Sequence, residues 1–328
     1  TKSEDHGMQR PTTLESLPTG HDAQREVIER ARKALGTIIL GKDEQISLAI
    51  ACLLARGHLL IEDLPGLGKT MLAQSLARVL GLSFRRIQFT SDLLPADIIG
   101  VTVFKQDRSE FEFQPCPVFS QLILADEVNR ATPKAQSALL EAMEEHQVSV
   151  DGNTMPLPEP FFVVATQNPA DQIGTFPLPE SQLDRFLMRL EIGYPSADDE
   201  RELITGADRR AMLAAIESST TPDVLVQMQN AASQVHMSDP LVDYIQALVR
   251  QTRESPDVEI GLSPRGAQAL AAAAKAHAFI ERHSGVYPDD VQAVFAPVAG
   301  HRLKPATATS TQSAAELCQH VLDNVAIP

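Results

Sequence analysis

The sequence predicts an α/β fold: a mostly parallel sheet covered on both faces, followed by a smaller all-helical domain. Three observations carry this prediction. Short apolar runs (Leu59-Leu60-Ile61, Gln121 to Ala125, Phe161 to Ala165) alternate with stretches of helical periodicity. No such run recurs after about Ile192. A glycine-rich turn, Pro65-Gly66-Leu67-Gly68, joins the first run to a helix.

The elements follow in order. Residues 1–22 hold Pro, Thr, Ser and Gly without periodicity and read as a loose lead-in. A helical pattern starts near Asp22 and runs to about Leu35. Ile46, Ala49, Ile50, Leu53 and Leu54 then mark a second, buried helix. Leu59 to Ile61 is a buried strand. Lys69 to Leu80 places Leu72, Leu76, Val79 and Leu80 on one helix face, and Gly81 sits where a helix stops. Phe84 to Phe89 reads as a strand. Two hairpins are expected: Val101 to Phe104 with Phe111 to Phe113, and a second turn centred on Asp151-Gly152. Between them Thr132-Pro133 opens a helix as a cap followed by proline at the first turn. The α/β domain is thus expected over residues 23–193, a linker over 194–222 and a helical domain over 223–328. In the last, the alanine-rich Ala267 to Ala278 lets helices approach closely. Pro305 to Gln312 is a polar connector, and Leu317, Val321, Leu322 and Val325 form a final amphipathic helix.

Composition sets the function classes. With 43% hydrophobic and 22% charged residues over 328 positions, wholesale disorder is excluded. A net charge of −15 repels phosphate backbones, so duplex nucleic acid is a poor default partner. Cys52, Cys116 and Cys318 form no CxxC, which suits a reducing cytoplasm. The most apolar stretch, Ile46 to Ile61, is cut by Arg56-Gly57-His58 and is too short to span a membrane. The first thirty residues are polar, so no signal peptide is expected. No metal-ligating histidine pattern occurs. His58 reads as a packed residue, and His146 as a helix-end or solvent residue.

Strand, glycine loop and helix run through Leu59-Leu60-Ile61-Glu62-Asp63-Leu64-Pro65-Gly66-Leu67-Gly68-Lys69-Thr70. Glycines let a backbone curl so that its N–H groups converge on phosphate oxygens, and the helix adds its positive end. Lys69 is expected on the β- and γ-phosphates, and the Thr70 hydroxyl on Mg²⁺. The usual pattern has glycine where this chain has Asp63. A second strand ends in Asp126-Glu127: Asp126 for Mg²⁺, partly through water, and Glu127 to polarise the attacking water. Alone, the Asp126-Glu127 ending is a common strand end, but paired with the glycine loop about 57 residues upstream it becomes a strong signal, and a mere strand-to-helix turn would need neither Lys69-Thr70 nor the flanking apolar runs.

Together with Asp126 to Pro133, Gln136 to Glu145, Ala165-Thr166-Gln167-Asn168-Pro169, Leu183-Asp184-Arg185-Phe186 and Ser263-Pro264-Arg265, they give a chain that resembles the MoxR family of AAA+ ATPases over about residues 25 to 300. The resemblance implies a P-loop NTPase (AAA+) core with a helical lid, binding ATP and Mg²⁺. It implies that Asp63 to Met71 surround the phosphates and that Gly41-Lys42 contact adenine. It makes Asn168 a polar sensor, Arg185 an arginine finger for a neighbouring subunit and Arg265 a lid-domain sensor. Taken singly, Asn168 reads equally as a capped turn before Pro169, and Arg185 as one half of a surface salt bridge. A homo-hexameric ring, client proteins to remodel or activate, and a partner with a von Willebrand factor A domain are also implied, with metal or cofactor insertion in several members. The hairpins at 92–117 and 147–157 match client-facing insertions. The family usually has glycine at the place of Cys116. The rival readings are a nucleic-acid motor, which needs basic hairpins, a monomeric P-loop kinase for small molecules, and a nucleotide-binding scaffold that does not hydrolyse.

Overall fold

The computed structural model describes residues 21–169, 174–306 and 313–328. The lead-in expected at 1–22 lies outside the described residues apart from the backbone of its last two, and so does most of the connector at Pro305 to Gln312.

The α/β part opens with α1 (His21–Gly36), α2 (Asp43–Leu54), β1 (Leu59–Glu62), α3 (Lys69–Val79) and β2 (Phe84–Gln88). A short helix and hairpin follow: α4 (Pro95–Ile99), β3 (Val101–Lys105) and β4 (Glu110–Gln114). Then come β5 (Leu122–Asp126), α5 (Pro133–Glu145), a second hairpin of β6 (Gln147–Val150) and β7 (Asn153–Pro156), β8 (Phe162–Gln167), α6 (Glu180–Leu183) and β9 (Met188–Leu190).

Five strands form one sheet in the order β2-β5-β8-β1-β9, with every pairing parallel. All residues of β5 and β8 are buried, because helices cover both faces. Leu122, Leu124, Phe162 and Val164 join one core cluster, while Ile123, Ala125, Val163 and Ala165 join the other. The chain leaves β1 inside the sheet and reappears at the β2 edge. That switch in direction opens a crevice at the carboxyl ends of the strands. Register brings those ends level: Glu62 pairs with Gln167, and Gln88 with Asp126.

Both hairpins form where expected. Asp151 and Gly152 carry φ of 51° and 79°, the left-handed pair that a tight two-residue turn requires. Cys116 is extended, with φ of −103°, so its backbone makes no demand for glycine. Thr132 and Pro133 stand at the N-cap and first turn of α5, but the threonine side chain makes no capping hydrogen bond.

The segment expected as a linker is partly helical, with α7 (Ala197–Thr205) and α8 (Arg209–Ala215). Neither contains a fully buried residue, so neither carries the apolar stripe that marks a helix in sequence. Local capping starts them instead: Ser196 accepts the Asp199 N–H, and Asp208 accepts the Arg210 N–H. Arg78 of α3 donates to the Ile216 and Ala214 carbonyls, which holds α8 against the α/β domain.

The helical domain contains α9 (Pro222–Ser233), α10 (Asp239–Glu254), β10 (Val258–Ile260), α11 (Pro264–Ile280), α12 (Pro288–Ala299), β11 (Lys304–Pro305) and α13 (Ala314–Asp323). The small antiparallel ribbon of β10 and β11 corrects the expectation that strands end at Ile192. These strands are too short to show a period. Ala269, Ala273, Ala274, Ala276 and Ala278 are buried along α11, and one continuous core cluster runs from the α/β domain into this bundle. The buried Asp290 carboxylate accepts from the Tyr287 N–H and bonds His277 and His283, so the bundle's buried charge is fully hydrogen-bonded. Among the described residues no helix is long and apolar enough to cross a membrane.

Candidate nucleotide site

β1 delivers the chain into the loop at Asp63, and α3 takes it away at Lys69. Gly66 and Gly68 have φ of 87° and 91°. A Cβ at either would meet nothing within 4 Å, so the backbone conformation, rather than space, calls for glycine. Gly68 is the N-cap of α3, no side chain caps that end, and the first turn contains no acid. The amides at this end therefore present positive charge, as a phosphate requires.

The Asp63 carboxylate is turned away from this cradle. Its Oδ2 accepts the N–H groups of Ile192 (2.8 Å) and Gly193 (2.7 Å), and its Oδ1 accepts that of Leu64 (2.8 Å). The departure from glycine thus has a structural use: it ties the loop to the end of β9. Asp63 and Leu64 present their carbonyls to the Lys69 ammonium, at 2.9 Å for Leu64, and Leu67 stands between the two left-handed glycines. Burial pulls the Lys69 ammonium below its ordinary pKa, and the Asp63, Asp126 and Glu127 carboxylates oppose that shift.

A cavity of about 1040 Å³ opens beside the loop. Pro65, Gly66, Gly68, Lys69, Thr70 and Met71 line it, together with Asp126, Glu127 and Asn168 from the carboxyl ends of β5 and β8. Asp126 is held on both oxygens: Arg86 Nη2 approaches Oδ2 at 2.6 Å, and Thr166 donates to Oδ1 at 2.6 Å. The same Thr166 hydroxyl accepts the Glu127 N–H. Glu127 adopts a left-handed backbone, φ 57°, a conformation that is uncommon and costly outside glycine. Its carboxylate accepts from Gln88 (3.0 Å) and pairs with Arg130 (3.2 Å).

Sequence reasoning missed Arg86, Gln88, Thr166 and Gln167. Gln167 lines the cavity with a buried Nε2 that has no protein acceptor among the described residues. An orphaned donor, an uncapped helix start and an ammonium suit an anionic phosphate chain, and Thr70 and Asp126 supply the hard oxygens that Mg²⁺ prefers. Arg210 and Leu213 of α8 also line the cavity, a contribution that no motif marked. The ATP and Mg²⁺ expected from sequence therefore fit the residues present.

Gly41 and Lys42 are not among the residues lining this cavity. Gly41, φ 63°, lies against Asp199 of α7, where a Cβ would come 2.1 Å from the carboxylate, and Lys42 donates to the Tyr194 carbonyl at 2.9 Å.

Arg185 and Arg265 also lie elsewhere, and they lie together. Arg185 pairs with Glu144 Oε2 at 2.8 Å and donates to the Leu140 carbonyl at 2.7 Å. Arg265, at the start of α11, reaches Glu144 Oε1 at 2.5 Å. Hydrogen bonding from Arg265 holds the Glu144 carboxyl below its usual range. The backbone around Arg185 is fixed by Arg302, which bonds the Asp184 carboxylate (2.6 Å) and the Asp184 and Phe186 carbonyls. His58 is buried nearby. It accepts the Val163 N–H on Nδ1, so its Nε2–H is the one that donates to the Met143 carbonyl, and burial lowers its pKa to about 4.

Comparison with known proteins agrees with this geometry. Residues 58–188 match the model of the ATPase family associated with various cellular activities (AAA), and residues 250–321 match an AAA lid domain. The chain is 41% identical over 304 residues to a Bacillus subtilis protein, YeaC, described as uncharacterized, covering 92% of this chain and 95% of that one. It is 41% identical to chaperone MoxR1 of Mycobacterium tuberculosis over 87% of this chain and 77% of that one. A crystal structure of a provisionally assigned ATPase from Cytophaga hutchinsonii superposes with a TM-score of 0.85 at 34% identity, covering 94% and 97% of the two chains. The chain belongs to the MoxR family of AAA ATPases.

Proposed function

We propose that this chaperone-like AAA ATPase hydrolyses ATP with Mg²⁺ in a homo-oligomeric ring, hexameric by analogy with its family, and uses the resulting motion to remodel or activate client proteins in the cytoplasm. One observation carries the reading. Lys69, Thr70, Asp126, Glu127 and Asn168 share one cavity, whereas Arg185 and Arg265 share a different part of the surface. Phosphoryl transfer is catalysed by positioning and charge neutralisation, and the cation that the family's arginine finger adds is not among the residues that line this cavity. A neighbouring subunit's Arg185 and Arg265 supply it.

In this reading Lys69 exchanges the Asp63 and Leu64 carbonyls for phosphate oxygens. Glu127 orients the attacking water and takes its proton. Asn168 fixes that water in line. Mg²⁺, when bound through Thr70 and Asp126, neutralises charge on the phosphate oxygens. Turnover then moves the helical domain against the α/β domain, carrying the hairpins with it.

Protein clients fit the hairpins better than nucleic acid does. Phe104 and Phe111 are exposed on the first hairpin, with ring centroids 5.1 Å apart. The two cations of that hairpin already face acids: Lys105 faces Glu112, and Arg108 faces Asp107 and Glu110. The second hairpin, residues 147–157, contains no Lys or Arg. A von Willebrand factor A domain partner, and metal or cofactor insertion into an enzyme, are the finer proposals that the family suggests.

The ring reading is tested by phosphate release per subunit across a protein dilution series. A specific rate that climbs with protein concentration supports it, and a rate independent of concentration contradicts it. Retention of nucleic acid alone by a Glu127→Gln variant in native extract contradicts the client proposal.

A further inference from the structure

Glu144 lies in the arginine patch, and the family roles leave it unused. Its two carboxylate oxygens are divided between two guanidiniums: Oε2 to Arg185, and Oε1 to Arg265. The three residues come from three places: the end of α5, the turn after α6, and the first turn of α11. The bridge therefore joins the α/β domain to the helical domain. Its geometry also resembles that of a terminal phosphate between two arginines, with an anion of several oxygens facing one cation per oxygen.

We propose that Glu144 is an internal competitor for a neighbouring subunit's γ-phosphate: it occupies Arg185 and Arg265 until that triphosphate docks and displaces it. This rests on the reading that both arginines act on the neighbour. Without the carboxylate, two like charges would face each other across the domain boundary. With it, both cations are already neutralised, and the incoming triphosphate must replace one anion by another of higher charge. The exchange releases the bond between the domains at the moment the neighbour is loaded. Glu144 thus sets how much ATP is needed before subunits engage, while the chemistry stays with the cavity residues. The three side chains are 29%, 50% and 34% exposed for Arg185, Arg265 and Glu144, so the bridge is of the modest strength expected for partly solvated pairs and is open to exchange.

The test is steady-state phosphate release by the full chain at saturating protein, as a function of ATP concentration, for wild type, Glu144→Gln, Glu144→Asp and Arg185→Ala. Glu144→Gln is nearly isosteric and sits at a partly exposed helix end. It should lower the half-saturating ATP concentration about threefold, with kcat within about twofold of wild type. Glu144→Asp keeps the anion beside both arginines and should stay near wild type. An unchanged or raised half-saturating concentration for Glu144→Gln overturns the proposal. An equal shift in Glu144→Asp also overturns it, because the effect would then follow side-chain length instead of charge. If Arg185→Ala abolishes turnover while Glu144→Gln behaves as wild type, only this inference fails. If Arg185→Ala turns over normally, the ring reading fails first.

Discussion

The phosphate cavity and the arginine patch are mirror images in charge. In the cavity, acids meet a cation of their own chain: Asp126 pairs with Arg86, and Glu127 with Arg130. In the patch, cations meet an acid of their own chain, because Glu144 takes both Arg185 and Arg265. In each region these charges are paired within the subunit. Residues brought together by one fold therefore do not have to serve one site. The family's motif residues are divided here between two separate cavities, one lined by Lys69, Asp126, Glu127 and Asn168 and the other by Glu144, Arg185 and Arg265.

Substitutions separate the two regions by size of effect. The largest is expected in the patch: Arg185→Ala should lower kcat by ~10³-fold or more, the range for a finger arginine, with nucleotide still bound by the intact cavity. Steady-state phosphate release and binding of a fluorescent nucleotide, measured side by side, check this. In the cavity, Glu127→Gln should lower kcat by ~10²-fold or more while leaving ATP affinity intact, and single-turnover kinetics separate chemistry from product release. Equal losses of ATP binding in both variants would erase the contrast.

Smaller effects probe the supports. Asp63→Ala orphans the Ile192 and Gly193 amides that the carboxylate now accepts, so a stability loss of about 1–3 kcal/mol is expected in denaturant melts. The patch should also be the acid-sensitive region. His58 is buried neutral with a pKa of about 4, against an ordinary value of 6.5. Its folded pKa is depressed, so the unfolded chain binds more protons between these values. Its contribution to stability is therefore complete above pH 6.5 and falls as pH drops towards 4, by up to about 1.4 kcal/mol per unit. Denaturant midpoints between pH 7 and 4.5 measure this slope, and His58→Gln, which retains a donor for Met143, should make it shallower, while the buried His301, whose pKa burial also depresses, keeps part of it.

Much of this was legible in sequence because burial leaves a pattern. The runs at β1, β5 and β8 are apolar throughout because both faces of each strand are covered, and the glycine loop is legible because left-handed backbone restricts the residue choice. The illegible parts depend on contacts distant in sequence. Nothing near Glu144 indicates that it meets Arg185 and Arg265. Thr166 stands in the Ala165 to Pro169 motif with no role of its own, yet it bonds both Asp126 and Glu127. Helices α7 and α8 escaped notice because they bury no residue completely, and periodicity reports only buried faces. Asp63 reads as a weakened phosphate loop, and only the structure gives its carboxylate partners in the turn after β9.

The central claim is that one subunit's cavity is completed by another subunit's arginines. Mixing two variants, Lys69→Ala with an intact patch and Arg185→Ala with an intact cavity, tests it most directly. Each alone should hydrolyse ATP poorly, and the mixture should regain phosphate release well above the sum of the two, as whole sites form between unlike neighbours. A co-assembled mixture no faster than that sum would contradict the account.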